Sequence, residues 1–168
     1  WNFKTADVVV TNEDTMNPNA VKENQTTAVA MGVYQTTAAI AMKKNSSLYG
    51  EHQKYTLLKN NGSSSVVTFA THVTGVAGHL SNFTIQGGKA AYGGGIYIKR
   101  FHPTIDQVTV FGNQTHRSSN TSNTSRGGGI YINNSNAILT RVTVFGNRSS
   151  AASVYGGGIS IIGYNPTL

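Results

Sequence analysis

The chain of 168 residues contains no cysteine, so disulfide bonds cannot stabilise its fold, and cysteine usage does not reveal its redox compartment. Charged residues make up only 11%, fewer than the helix surfaces of an ordinary α/β protein would carry. The apolar stretch 26–42 is too short to cross a membrane because Gly32, Gln35, Thr36 and Thr37 interrupt it. Together with 19 Gly, these shortages predict short strands joined by tight turns, and hence an all-β fold.

Carboxylates are scarce after Glu51, where Asp106 is the only one among nine Lys and Arg. A basic surface attracts acidic glycans, other anionic polymers or anionic surfaces; the alternative is that the cations only keep a sparsely charged protein solvated. Calcium-dependent lyases and glycoside hydrolases need clustered acids, so we predict no catalytic residue in this chain. The five His show no metal-ligand spacing, so we also predict no metal and no cofactor.

One phrase occurs three times, a glycine triplet followed by Ile-x-Ile, at 93–98, 127–132 and 156–161. A second phrase at 105–113 matches 139–147. Repetition at a period of tens of residues is typical of a chain that coils and stacks on itself. No helical pattern follows the triplets, so they are not phosphate-binding loops, and no specific nucleic-acid partner is predicted.

Alternation with a period of two predicts which residues face the interior of such a coil. The predicted interior residues are Ile96, Ile98, Val108, Val110, Ile130, Ile132, Val142, Val144, Ile159 and Ile161. The unequal spacing of the triplets arises between the second phrase and the next triplet. We therefore expect loops of variable length on one side of the molecule, where repeat proteins often bind their partners.

The repeat covers residues 56–168, whereas residues 1–55 do not show it. An open end of a coil would expose core side chains and unpaired strand edges, so we predict that 1–55 form N-terminal capping strands with an irregular segment. Residues 165–168 echo 102–105 and begin a segment that should continue. We therefore expect a coil that is truncated at the C-terminus and extends beyond residue 168.

These phrases resemble the right-handed parallel β-helix repeats of the pectin-lyase-like superfamily, and more specifically the Gly-Gly-Gly-Ile-Tyr repeats of large secreted and surface proteins. They are more distantly similar to chlamydial polymorphic outer-membrane proteins, which carry Gly-Gly-Ala-Ile and Phe-x-x-Asn. The resemblance implies an all-β, right-handed parallel β-helix (a β-solenoid) and an extracellular or cell-surface location. It does not decide the activity, because this architecture carries both enzymes and adhesins.

Asn113 and Asn147 occupy equivalent positions in the second phrase, and two interpretations compete. Their amides form a hydrogen-bonded ladder inside a tight corner, which we favour, or they accept N-glycans as part of Asn-x-Ser/Thr sequons. Phe111 and Phe145 also have two interpretations: an outward column that binds sugar rings or a protein face, or rings covered by the corner loops.

The remaining candidate residues lie on the predicted outer face or in the corner loops. Candidate surface-binding residues are Tyr97, Tyr131, Phe111, Phe145, Arg117 and Arg126, and candidate glycosylation sites are Asn120, Asn123 and Asn133. From these features we expect a non-catalytic secreted or cell-surface protein with a structural or adhesive role, which binds glycans or anionic surfaces or assembles into a fibre. The alternative is the N-terminal part of a polysaccharide lyase or glycoside hydrolase whose catalytic acids lie beyond residue 168.

Overall fold

The computed structural model describes residues 8–10, 15–70, 76–116, 124–150, 153–163 and 165–168, and these form strands and turns without any helix. The strands are β1 (Val8–Val10), β2 (Thr26–Val29), β3 (Gly32–Thr36), β4 (Ile40–Ala41), β5 (Ser47–Gly50), β6 (Thr56–Asn60), β7 (Val67–Ala70), β8 (Val76–Gln86), β9 (Lys89–Ala90), β10 (Ile96–Lys99), β11 (Phe101–Phe111), β12 (Gln114–Thr115), β13 (Thr124–Arg126), β14 (Ile130–Asn133), β15 (Ile138–Thr140), β16 (Thr143–Phe145), β17 (Arg148–Ser149), β18 (Ser153–Tyr155) and β19 (Ile159–Ile162). The predicted all-β class is confirmed. No helix among the described residues could span a membrane.

All strand pairs among the described residues are parallel. The strands form a nine-stranded sheet around β8 and β11, a five-stranded sheet in the order β19-β14-β10-β7-β4, and two smaller sheets. Strands β10 to β13 contribute to the four sheets in turn, and β14 to β18 do so again in the same order. Equivalent residues of successive repeats are therefore hydrogen-bonded neighbours, and we call each such row of neighbours a column.

The interior columns hold the aliphatic residues that alternation predicts. Ile96, Ile98, Ile130 and Ile132 are all 0% exposed, and so are Val108 and Val110 of β11. The edge strand β19 differs, because Ile161 is 40% exposed although its column partner Ile132 is buried. The prediction that every isoleucine of the triplet phrases faces a closed interior is therefore wrong for Ile161.

Residues before position 55 belong to the same sheets as the later repeats. Strand β4 pairs with β7, and β5 pairs with β8. The expected division between residues 1–55 and 56–168 therefore does not coincide with a change of sheet. Before β2, Met16 and Val21 are 1% and 0% exposed, and the Met16 amide donates to the Gln35 carbonyl.

Two corners of each repeat are single residues with left-handed backbone. One corner holds Asn82, Gln107 and Arg141, with φ of +62°, +50° and +52°, and the other holds Arg100, Asn134 and Gly163, with φ of +54°, +49° and +64°. Asn and Gly tolerate this conformation, but Gln and Arg adopt it rarely. The corners are set by the stacking of the repeats rather than by local preference, which is why the sequence alone did not reveal them.

The glycine triplets lie where the backbones of successive repeats approach each other closely. The first glycine of each triplet, at 93, 127 and 156, has φ of +56°, +61° and +68°, a left-handed conformation that glycine adopts without strain. At the second position, a Cβ on Gly128 would lie 2.5 Å from the Arg148 carbonyl oxygen and would overlap the Gly157 carbonyl of the next repeat. The triplet therefore combines a turn with backbone packing that excludes a side chain.

Gly128 and Gly157 provide a matched test, because they occupy equivalent positions but differ in what surrounds them. A Cβ on Gly157 would meet nothing closer than the Asn147 carbonyl at 3.6 Å. We expect Gly128→Ala to lower the free energy of unfolding by about 3 kcal/mol, since overpacking moves the backbone, and Gly157→Ala to have little effect. Urea unfolding followed by circular dichroism measures both, and equal losses would contradict the packing explanation.

The side chains of Asn113 and Asn147 bond to each other inside the corner. Asn113 is 1% exposed, and the two N–H groups of its Nδ2 are shared among three acceptors, the carbonyls of Ile85 (3.1 Å) and Phe111 (3.0 Å) and Asn147 Oδ1 (3.0 Å). Its Oδ1 accepts from the Gly88 amide at 3.0 Å. Asn147 Nδ2 in turn donates to the Val110 carbonyl. These are the bonds of a ladder that satisfies corner backbone groups.

Removing the Asn113 amide deletes the side-chain hydrogen bonds of the Gly88 amide and of the Ile85 and Phe111 carbonyls. We expect Asn113→Ala to destabilise the fold by about 3 kcal/mol, because each unsatisfied buried group costs about 1–3 kcal/mol. Asn147→Ala should cost less, since Asn147 is only partly buried. Thermal and urea unfolding of both variants test this order, and a larger loss for Asn147→Ala would contradict it.

Candidate functional site

The outer face of the five-stranded sheet carries two of the candidate binding residues. Register places Thr68, Tyr97, Tyr131 and Ser160 in one column, and Ala41 adjoins Thr68 at its other end. Side-chain size therefore changes along the column. The small side chains on β4 and β7 leave a depression in the surface, and the larger tyrosine side chains of β10 and β14 border it.

Three tyrosines pack together on this face. The ring centroids of Tyr97 and Tyr131 lie 5.7 Å apart at an interplanar angle of 19°, and those of Tyr92 and Tyr131 lie 5.2 Å apart. Tyr131 is only 5% exposed, whereas Tyr97 and Tyr92 are half-buried. Tyr131 therefore differs from the expected surface residue: it forms the base of the cluster, and Tyr97 and Tyr92 present the accessible surface.

The environment of the cluster changes the acidity of two phenols. Burial raises the pKa of Tyr97, the neighbouring phenols of Tyr131 and Tyr92 raise it further, and the Arg100 guanidinium opposes them. Burial also raises the pKa of Tyr131, against the hydrogen bond that its hydroxyl accepts from Asn133 Nδ2 at 3.0 Å. Arg100 is thus close enough to act electrostatically on the Tyr97 hydroxyl.

Arg126 lies between two aromatic residues at the corner that precedes the glycine triplets. It pairs in register with Tyr92 on one side and with Tyr155 on the other. Its guanidinium carbon lies 4.0 Å from the centroid of the Tyr155 ring, a cation–π contact, and Tyr155 is 50% exposed. Arg117, the other arginine predicted for this surface, lies outside the described residues.

Described residues that flank the segments of variable length lie at this same corner. Gln114 pairs with Lys89 and with Arg148, and Arg126, twelve residues after Gln114, pairs with Tyr155, seven residues after Arg148. The chain between these fixed registers differs in length from repeat to repeat. The corner that varies most therefore borders the tyrosine cluster.

A cleft of about 320 Å³ opens at the opposite end of the outer face, where β4 and β7 end. Its lining residues are Glu23, Ala41, Met42, Lys43, Lys44, Thr68, Ala70, Val76 and Phe101. Met42 and Phe101 are 3% and 1% exposed and form an apolar floor, whereas Glu23 and Lys44 are exposed at the rim. A small cleft that combines an apolar floor with polar and charged groups at its edge is typical of a ligand site.

Phe111 and Phe145 form a separate column on the nine-stranded sheet. Their centroids lie 5.3 Å apart at an interplanar angle of 3°, which is offset stacking. Each ring therefore covers part of one face of the other, and Phe145, 54% exposed, presents the free face. Of the two interpretations of this column, the outward one agrees with the structure. The two rings stack on each other, however, so they do not offer two separate open faces.

Of the three predicted glycosylation sites, Asn133 lies within the described part of the chain. Asn120 and Asn123 lie outside the described residues. Asn133 is half-buried, its Nδ2 donates to Tyr131, and the sequon residue Ser135 is 0% exposed and donates to the Phe101 carbonyl. A glycan on Asn133 would therefore break a hydrogen bond that orients the tyrosine cluster.

Asp106 forms an ion pair with Arg141. Its column partners Ser81 and Thr140 carry no charge, so the column offers no second carboxylate for paired-acid chemistry. Nearby, burial lowers the pKa of His79, and Asp106 opposes that shift. In the described parts of the chain, no three His, Cys, Asp or Glu lie together as a metal site requires.

Comparisons with protein-family models, with curated proteins and with solved structures found no match to this chain. The site is therefore interpreted from its own residues. Sequence reasoning missed Lys43, Lys44, Thr68 and Tyr92 as members of this face. A signal for the lysines existed: Ile40-Ala41-Met42-Lys43 has the same pattern as Ile96-Tyr97-Ile98-Lys99, without the glycine triplet.

The raised pKa of the buried tyrosines predicts how stability depends on pH. Both values lie above the ordinary 10.0, so the folded state holds the phenolic protons more tightly than the unfolded state does. The resulting stabilisation is present below pH 10 and is lost as the pH rises through the folded pKa values. We expect Tyr97→Phe combined with Tyr131→Phe to flatten the fall in unfolding free energy between about pH 9 and 11.

The control for that measurement is Tyr55→Phe, because Tyr55 is 52% exposed and stacks on no other tyrosine in the described structure. This variant should keep the slope of the native protein. Urea titrations at each pH give the slopes. If the double variant loses stability with pH as steeply as the native protein does, the tyrosine cluster does not carry the effect.

Proposed function

We propose that this chain is a right-handed parallel β-helix of the pectin-lyase-like kind with a non-catalytic, structural and adhesive role outside the cell or at its surface. In this proposal it binds glycans or other anionic polymers. The parallel register of successive repeats supports the architecture, since β10 to β13 and β14 to β18 contribute to the same four sheets in the same order. A rigid stack of strands presents side chains at fixed spacing, which suits a binding surface better than a mobile loop does.

The observation that carries the proposal is the position of Tyr97. Its ring is half-buried on Tyr131, lies within electrostatic reach of Arg100, and shares the outer face with a cleft lined by Lys43 and Lys44. A tyrosine presents an apolar ring and a hydroxyl at low entropic cost, a combination that suits the mixed surface of a sugar. Stacking on Tyr131 fixes the ring before the ligand arrives.

The basic surface supports the same proposal. The chain has 13 Lys and Arg against 6 Asp and Glu, and Arg141–Asp106 is the ion pair within the described residues. Cations such as Lys43 and Lys44 therefore remain available to a polyanion. Such attraction weakens as salt screens it, with a Debye length of about 8 Å at physiological ionic strength.

A glycan array and immobilised anionic polysaccharides, each read at two salt concentrations, test the function. We expect the native protein to bind at least one glycan class at low salt, and Tyr97→Ala to weaken that binding about fivefold, since an aromatic contact contributes about 1 kcal/mol. Tyr97→Phe should retain most of the affinity because it keeps the ring. Tyr55→Ala, at an exposed tyrosine on the segment before β6, is the matched control and should bind normally.

Absence of binding to any glycan at low salt by the folded native protein would overturn the adhesive role. If Tyr97→Ala and Tyr55→Ala weaken glycan binding equally, the protein is still a glycan-binding protein, but its binding site does not lie on this face.

A further inference from the structure

Lysines flank a small residue in the column next to the tyrosines. Lys99 pairs in register with Ala70, and the Met42 amide donates to the Thr68 carbonyl, so Lys43 follows opposite Ala70 from the other side. Lys43 and Lys99 are therefore two strand spacings apart, about 10 Å. The methyl side chain of Ala70 leaves a notch between the two lysines.

The cleft lies at this notch. Ala70 and Lys43 line it, with Lys44 on the rim and Met42 and Phe101 as its floor. Its volume of about 320 Å³ is at the low end of the range for small-ligand sites, about 300–1,000 Å³. It therefore suits one or two monosaccharide units rather than a long stretch of polymer.

The charges around the cleft are mostly positive. Lys43 and Lys44 line it, Lys99 and Arg100 follow on the β10 side, and Glu23 is the carboxylate on the rim. Glu23 is exposed and forms no ion pair within 4.0 Å among the described residues. The cations are therefore not neutralised by contact, and Glu23 opposes an anionic ligand.

We propose that this cleft binds an anionic substituent, a sulfate or a carboxylate, of an acidic polysaccharide whose neighbouring sugar ring packs against Tyr97. This inference rests on the proposed glycan-binding function and adds the ligand's charge and its contact points. Lys43 and Lys99 bind the anion from two sides, the apolar floor receives the C–H face of the sugar, and Arg100 extends the positive potential toward Tyr97. A polysaccharide fits better than a nucleic acid, which would need a longer basic tract with several exposed aromatic rings.

The test measures the binding of heparin, hyaluronan and neutral dextran to the native protein and to single-site variants by surface plasmon resonance. Lys43→Gln and Lys99→Gln should each weaken heparin binding at least about fivefold, because a hydrogen bond to a charged group is lost. Lys43→Arg should retain binding. Glu23→Gln should strengthen binding about twofold or more, since it removes the opposing charge.

The matched control is Lys89→Gln, which removes the same charge from β9 in the three-stranded sheet. It should change heparin binding less than about twofold if the site is localised. Thermal unfolding of every variant checks the fold, and these exposed or half-exposed side chains are expected to leave it unchanged.

Three results would overturn the inference in distinguishable ways. If Lys89→Gln weakens binding as much as Lys43→Gln, the attraction is diffuse and no cleft is involved. If dextran binds as tightly as heparin and Tyr97→Ala abolishes both, the glycan-binding function holds but the anionic site does not exist. If single-stranded DNA competes with heparin at equal affinity, the face is a general polyanion surface rather than a polysaccharide site. Failure of every polysaccharide to bind removes the proposed function as well.

Discussion

Close backbone contact between successive repeats at the glycine triplets constrains the rest of the structure. The Gly95 amide donates to the Gly129 carbonyl at 2.9 Å, and the Gly129 amide donates to the Gly158 carbonyl at 2.9 Å. A Cβ on Gly95 would lie 2.8 Å from the Gly129 carbonyl oxygen, and one on Gly129 would lie 2.8 Å from the Gly158 carbonyl oxygen, so the close stacking in register of β10, β14 and β19 requires glycine at these two positions. Once this register is set, the period-2 alternation of parallel strands decides which side chains face the core and which face outward.

Because the repeats stack in register, equivalent residues of successive repeats contact one another and form continuous rows of hydrogen bonds or stacked rings. Inside the corner, each asparagine side chain satisfies backbone groups of the preceding repeat: Asn147 bonds the Asn113 amide and the Val110 carbonyl, and Asn113 bonds the Gly88 amide and the Ile85 carbonyl. A single asparagine in an isolated turn could not do this. Outside, Phe111 and Phe145 cover each other's faces, as Tyr97 and Tyr131 do. A ladder stabilises its own members, so only residues at its end or over its edge remain available to a ligand.

The part of the fold that repeats with its glycines intact could be predicted from sequence, and the part without them could not. The isoleucines at 96, 98, 130 and 132 were placed correctly by alternation. The repeat that contains β4 was missed because Ala39 stands where Gly95 stands in the later one, which removes the visible signal. Left-handed Gln107 and Arg141 were also beyond prediction, since tertiary stacking overrides their local preference.

The candidate site follows from the same difference between early and late repeats. In the first two repeats that carry a glycine triplet, the outward position holds Tyr97 and Tyr131, and in the third it holds Ser160. In the earlier repeats without a triplet, that position holds Ala41 and Thr68. Large and small side chains thus share one column, and the change from Thr68 on β7 to Tyr97 on β10 forms a step in the surface. Lys43 and Lys44 lie at the low side of this step, and Lys99 lies on β10 two residues after Tyr97. The depression in the surface and the positive charge therefore occur at the same place because the repeat is imperfect. A perfectly regular stack would have covered this face with a column of tyrosines.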